Sequence, residues 1–200
     1  MEHSVETRSG KFVQLLTPCV SQIDLGDIAW GLSRTARFNG HTPGDIPYSV
    51  AQHSVWVAMI AEVHYNADPH AAKLSLFHDA HEAYTGDIVS PLKKLPEIHG
   101  AIRNIESNLQ ACIHQALMIP NPSDHQEEII SVVDKMALAV EASKFLPSCG
   151  EGWSDIWAVP KVIIDTLKPP LPPQQAYELF VLANNYIDQG IALEELWCQS

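Results

Sequence analysis

The chain has 200 residues, 46% hydrophobic and 18% charged, with 24 Asp and Glu against 12 Lys and Arg for a net charge of −12. That length and apolar content suit one domain with a full core, and no apolar run approaches the ~20 residues that cross a bilayer, so no membrane span is expected. So acidic a chain lacks the basic stripe that replaces counterions along DNA or RNA, which argues against polymeric nucleic acid as a partner.

The first residues, "MEHSVETRSGKF", lack the order of a secretion signal. The four cysteines, Cys19, Cys112, Cys149 and Cys198, stand far apart without a C-x-x-C pair, and read as reduced thiols of a cytoplasmic protein. Residues 11 to 28 alternate weakly and suggest one or two short strands before the helices begin. From Tyr48 the spacing turns helical: Val50, Val55, Val57, Met59, Ile60 and Val63 predict a helix of ~15 residues that stops at the turn from Asn66 to Pro69. A second helix is predicted from Asp68 or Pro69 to near Gly86, using Ala71, Leu74, Leu76, Phe77 and Ala80. Further helices fit 96 to 118, 123 to 146 and 173 to 189, with proline-rich breaks at 120 to 122 and 169 to 173. Between 147 and 168, Trp153, Trp157 and Pro160 suggest an ordered loop packed on the bundle.

One segment carries more polar groups than a core wall tolerates: "FHDAHEAYTGDIVSPLKKL", residues 77 to 95. On the predicted second helix His78, Asp79 and Glu82 share one end and roughly one side. Imidazole nitrogen with carboxylate oxygen suits Mn, Fe, Co, Ni or Zn, and this helix alone could supply two ligands plus a carboxylate placed to handle a metal-bound water. His53 lies within the preceding apolar helix; alone it reads as a hydrogen-bonded core histidine, but an antiparallel helix pair brings it toward His78 and Asp79. Rival motifs fail on inspection. "HEAYT" has Thr85 where H-E-x-x-H needs its second histidine. Zinc deaminases need H-x-E together with P-C-x-x-C, and the second is missing, as are the glycine-rich phosphate loops.

The order of "RFNGH" (37 to 41), "YSVAQHS" (48 to 54), "FHDAHEAYTGDIVSPLKK" (77 to 94) and "VVDKMALAVEASKF" (132 to 145) resembles the HD-domain phosphohydrolases. The resemblance is to their small bacterial and phage branch, related to 5′-deoxynucleotidases and deoxynucleoside triphosphohydrolases, and covers about residues 25 to 146. It implies an all-α HD-domain helical bundle, with the C-terminal loop and helix of 147 to 200 packed on the core in a single domain. The family's H…HD…D pattern falls on His53, His78, Asp79 and Asp134 as metal ligands; by residue type alone Asp134 could equally be a helix-surface group. Glu82 and Asp87 are implied to act at the hydrolytic water or at a second divalent ion such as Mg. Arg37 is implied to hold phosphate and Phe38 to wall the nucleoside pocket. Phe38 stands where tryptophan is frequent in the family, and the spacer from Asn39 to Tyr48 also differs, both of which bear on base and phosphate-number preference.

Lys93 and Lys94 are candidates for outer phosphates, although adjacent loop lysines are commonly just solvated; His41 and His81 are candidates for phosphate contact. The expected protein is thus a cytoplasmic homo-oligomer that hydrolyses deoxynucleotides, mono- or triphosphates, with dATP included because adenine-depleting phage relatives share the scaffold. Its rivals are a non-catalytic nucleotide-binding HD module and a phosphodiesterase for cyclic or short oligonucleotides. The G-Y-P element of enzymes that cleave cyclic dinucleotides is absent from the sequence.

Overall fold

A computed structural model describes residues 2–151 and 159–200. The chain opens with a small antiparallel hairpin, β1 (Ser4–Glu6) and β2 (Phe12–Gln14), in which Val5 faces Val13. The weakly alternating stretch 11 to 28 thus holds one strand, whose partner lies upstream, and its end is helical. That helix, α1 (Leu25–Leu32), begins at the Asp24 carboxylate, which accepts hydrogen bonds from Gly26 N (2.9 Å) and Asp27 N (3.2 Å). Its apolar residues Leu25, Ile28, Ala29 and Leu32 follow helical spacing, which the Pro and Gly punctuation nearby obscures.

The central element is α2 (Val50–Tyr65), capped by Ser49 Oγ, which accepts from Gln52 N, and ended by left-handed Asn66. Every residue from Val50 to Ala61 is buried, as befits a helix apolar nearly all round, and α2 is walled on several sides. Its neighbours are α3 (Pro69–Leu76), α7 (Asp124–Phe145), α9 (Pro173–Gln189) and α10 (Leu193–Gln199). Between these run one-turn helices α4 (Glu82–Thr85) and α5 (Ser90–Lys93), the long α6 (Pro96–Ala116) and one-turn α8 (Lys161–Ile164). Glu62 Oε2 on α2 accepts from Leu193 N (2.7 Å), tying α10 to the bundle centre.

The predicted second helix does not run to Gly86. It stops at Leu76, and the chain tightens through 77–81 before α4. Ala80 N bonds Phe77 O, Glu82 N bonds Asp79 O and Ala83 N bonds Ala80 O, all three-residue spacings. His78 Nδ1 donates to Ser75 O (2.8 Å), the carbonyl that a continuing helix would have given to the Asp79 amide. His78 and Asp79 therefore project from a turn, not from a helix face.

Tight packing holds that turn in place. A Cβ on Gly31 of α1 would lie 2.9 Å from Ala83 O and 3.0 Å from Ala83 Cα, so only glycine permits this approach of α1 to α4. Phe77 is fully buried and meets Phe180 of α9 edge-on at 5.4 Å. Trp56, also fully buried, donates from Nε1 to Thr166 Oγ1 (2.9 Å). Of the loop expected over 147 to 168, Trp153 and Trp157 lie outside the described residues, and its later part holds the one-turn helix α8. Among the described residues, no helix is long and apolar enough to cross a membrane.

Candidate active site

Three separate elements deliver the motif residues to one place: α2 brings His53, the 77–81 turn brings His78 and Asp79, and α7 brings Asp134. His53 Nε2 lies 3.2 Å from Asp134 Oδ1 and 3.9 Å from Asp79 Oδ2. His78 Nε2 lies 3.1 Å from Asp79 Oδ2 and 3.7 Å from Asp134 Oδ1. The two imidazole centres are 5.3 Å apart. Among the described residues neither Nε2 atom has a hydrogen-bond partner, although both are buried and close to carboxylate oxygens. His53 is wholly enclosed, whereas the Asp134 side chain is 38% exposed, so the cluster opens to solvent on its carboxylate side.

The other nitrogen of each ring is tied off. His78 Nδ1 donates to Ser75 O, and His53 Nδ1 lies 2.6 Å from Glu141 Oε1. With Nδ1–H donating, a neutral imidazole keeps its lone pair on Nε2, and here both lone pairs face the two aspartates. His53, His78 and Asp134 offer ligand atoms all within 4.8 Å of one another, with Asp79 alongside. Two nitrogens and carboxylate oxygens that converge without bonding each other are the donor set a divalent transition metal takes. Burial works to raise the Asp79 carboxyl pKa, but positive charge on the adjacent His78 and His53 rings outweighs it and holds it below the usual range; with neutral rings, that positive charge is what a bound cation would supply.

Sequence reasoning did not single out Glu141. It is fully buried on α7, seven residues after Asp134 and so on the same face, and its second oxygen takes a hydrogen bond from Arg37 Nε (2.8 Å). A carboxylate among Ala137, Val140 and Ala142 was the available signal. Arg37 itself is buried; burial pulls its pKa down, but Glu141, Asp134, Asp79 and Asp87 raise it beyond the ordinary value and keep it charged.

Arg37 begins a tight turn in which Phe38 (φ 54°) and Asn39 (φ 51°) are left-handed, a conformation that costs a non-glycine residue ~1–2 kcal/mol. Strain of this kind gathers where a side chain must be aimed. The Arg37 N–H bonds Tyr48 O (2.9 Å), and the Arg37 guanidinium stands 5.6 Å from the Phe38 ring. His41, at the end of the turn, is exposed, and its ring makes no hydrogen bond or ion pair among the described residues.

On the other side of Asp79 lies an acidic wall. Glu82 is buried, its Oε2 makes no hydrogen bond among the described residues, and its pKa is pushed up to about 9 by burial and then by Asp79 and Asp87. Asp87 is also raised, by burial first, with Arg37 opposing. Lys93 Nζ sits 3.5 Å from Glu82 Oε1 and 2.8 Å from Glu106 Oε1, so it compensates carboxylates; Lys94 is exposed. His81 is buried, with Nδ1 3.2 Å from Gln110 Oε1 and Nε2 3.6 Å from Glu106 Oε1. Glu106 and Gln110, both on α6, had no sequence signal, since they act on the site through Lys93, His81 and the Phe77 carbonyl, to which Gln110 Nε2 donates (2.6 Å).

A family model described as 5′-deoxynucleotidase YfbR-like matches residues 30–146. The chain belongs to this family. The match covers all four residues of the cluster, and the family falls within the metal-dependent HD-domain superfamily of hydrolases. An uncharacterized protein of Rhodobacter capsulatus is 35% identical over 116 residues, which are 56% of this chain and 57% of that protein. The uncharacterized protein YfdR of Escherichia coli is 29% identical over 177 residues, 88% of this chain and 91% of its own length. The chain therefore spans little more than half of the Rhodobacter relative.

Proposed function

We propose that this chain is a metal-dependent phosphohydrolase that splits deoxynucleoside 5′-monophosphate and water into deoxynucleoside and phosphate. One observation carries the reading: two buried Nε2 atoms, each with its Nδ1 engaged elsewhere, converge on Asp79 and Asp134 without hydrogen bonding to them. His53, His78, Asp79 and Asp134 would hold a divalent ion such as Co, Mn, Zn, Fe or Ni. Bound there, the ion supplies Lewis acidity toward a phosphoryl oxygen and makes water more acidic.

The chain's own groups do the rest. Arg37, with Nε engaged by Glu141, keeps its terminal guanidinium nitrogens to grip phosphate oxygens, a role its planar fork suits better than an ammonium. Phe38 supplies an apolar wall beside that grip for the nucleoside. Glu82, with an unengaged Oε2 and Lys93 beside Oε1, holds and passes the proton exchanged between water and the leaving 5′-oxygen. Asp87, half-buried nearby, is the alternative for that transfer. Asp79, His81 and Glu82 also offer ligand atoms within 4.8 Å of one another, a place for a second divalent ion such as Mg beside the Lys93 ammonium.

A second reading, a triphosphate substrate, is favoured by a cavity of about 240 Å³ beside the acidic wall, lined by Lys93, His99, Ile102, Arg103 and Glu106. Arg103 and His99 on its lining would receive outer phosphates. Incubating the protein with dNMPs, dNTPs, NTPs and cyclic nucleotides under Co²⁺, Mn²⁺, Zn²⁺ or Mg²⁺, then separating phosphate, pyrophosphate and triphosphate, tests both. Inorganic phosphate from dNMPs supports the first, and triphosphate from dNTPs the second. No release from any of them sinks both and leaves a nucleotide-binding module.

A further inference from the structure

We propose that Glu141 is a shared positioning residue, a single carboxylate that aims the metal ligand His53 with one oxygen and the phosphate-gripping Arg37 with the other. The inference rests on the metal and phosphate roles proposed above. Glu141 touches neither ion nor substrate; it acts through the two side chains that do.

The geometry is specific. Oε1 lies 2.6 Å from His53 Nδ1 and Oε2 lies 2.8 Å from Arg37 Nε, with all three residues buried. The partners come from chain segments 88 and 104 residues away, so Glu141 is the point at which α2, α7 and the Arg37 turn are locked together. Arg37 Nε–H can only donate, and His53 must donate from Nδ1 to present a lone pair at Nε2. The two donors reach different oxygens, and among side chains only a carboxylate offers two acceptor atoms with no donor between them. A glutamine of the same shape offers one acceptor and one N–H donor. If its oxygen faces His53, the amide N–H confronts Arg37 Nε–H; if its N–H faces His53, it favours the tautomer that turns a proton, instead of a lone pair, toward the cluster. Either way one partner loses its orientation, and metal hold and phosphate hold become linked through this residue.

The test compares wild type with Glu141→Gln, using Zn²⁺ affinity from chelator competition and the affinity of the Zn²⁺-loaded protein for inorganic phosphate. Folding is checked by circular dichroism. We expect Zn²⁺ affinity to fall roughly 10–100-fold and phosphate affinity to fall several-fold as well. A folded variant with either affinity within two-fold of wild type overturns the shared role while leaving the metal reading intact. Wild type that binds no Zn²⁺ overturns both. Should Glu141→Gln not fold, ¹⁵N imidazole spectra of Zn²⁺-loaded wild type decide: His53 protonated at Nδ1 supports the proposal, and His53 unprotonated at Nδ1 overturns it.

Discussion

Replacing Arg37 by methionine keeps much of the side-chain volume and deletes the charge. Glu141, fully buried, is then left with His53 alone as a partner for its two oxygens. Removing one partner of a buried ion pair costs ~3–5 kcal/mol, because the survivor is an uncompensated charge in a low-dielectric interior. Against a total stability of ~5–15 kcal/mol for a domain, that is a large share. Adding Glu141→Gln removes the orphaned charge, so the double variant should be less destabilised than the sum of the two singles by ~1–3 kcal/mol. Urea unfolding of wild type, both singles and the double, followed by circular dichroism in excess chelator, measures this; the chelator prevents metal that binds only the native state from adding to the apparent stability. Additivity within ~0.5 kcal/mol would refute the reasoning, since it would mean that Arg37 and Glu141 do not depend on each other in the folded protein.

Glu82→Ala should keep the metal and lose ~10²–10⁴ in turnover, the usual worth of a positioned proton-transfer group; elemental analysis beside kcat separates the two, and a loss of less than a few-fold would move the role to Asp87. Arg37→Lys should retain the charge but recover only part of kcat/KM relative to Arg37→Ala, because the fork that meets two oxygens is gone; full recovery would refute bidentate holding. Gly31→Ala drives a methyl into Ala83, so it should lower stability by ~1–3 kcal/mol and reduce activity by displacing α4, which begins with Glu82. An unchanged Tm in that variant would show that α1 yields at no cost.

The α2 and α7 helices were legible because their apolar spacing persists over many turns, and the candidate metal cluster because its residues recur in a recognisable order. The end of α3 was not legible. Phe77, Ala80 and Tyr84 stay buried through the tight turn, so apolar spacing alone does not distinguish continued helix from three-residue turns. That difference matters, because it frees His78 and Asp79 from a helix surface and lets them meet Asp134. Helix α1 was hidden by its shortness and by the Pro and Gly around it. Glu141 was hidden for another reason. Its meaning lies in partners 88 and 104 residues away, and no local pattern reports such a bond. Lys93 was legible as a cation near the site, but its use in compensating Glu82 and Glu106 depends on where α6 packs.

The most direct measurement is stepwise reloading of chelator-stripped protein with Co²⁺ while deoxynucleotide hydrolysis and bound metal are followed together, in wild type and in Asp79→Ala. We expect hydrolysis to rise in proportion to occupancy and to saturate near one ion per chain, with Asp79→Ala neither holding the metal nor turning over. Full hydrolysis in chelator, or a fully loaded and active Asp79→Ala, would contradict the assignment of His53, His78, Asp79 and Asp134 as the metal centre of a phosphohydrolase.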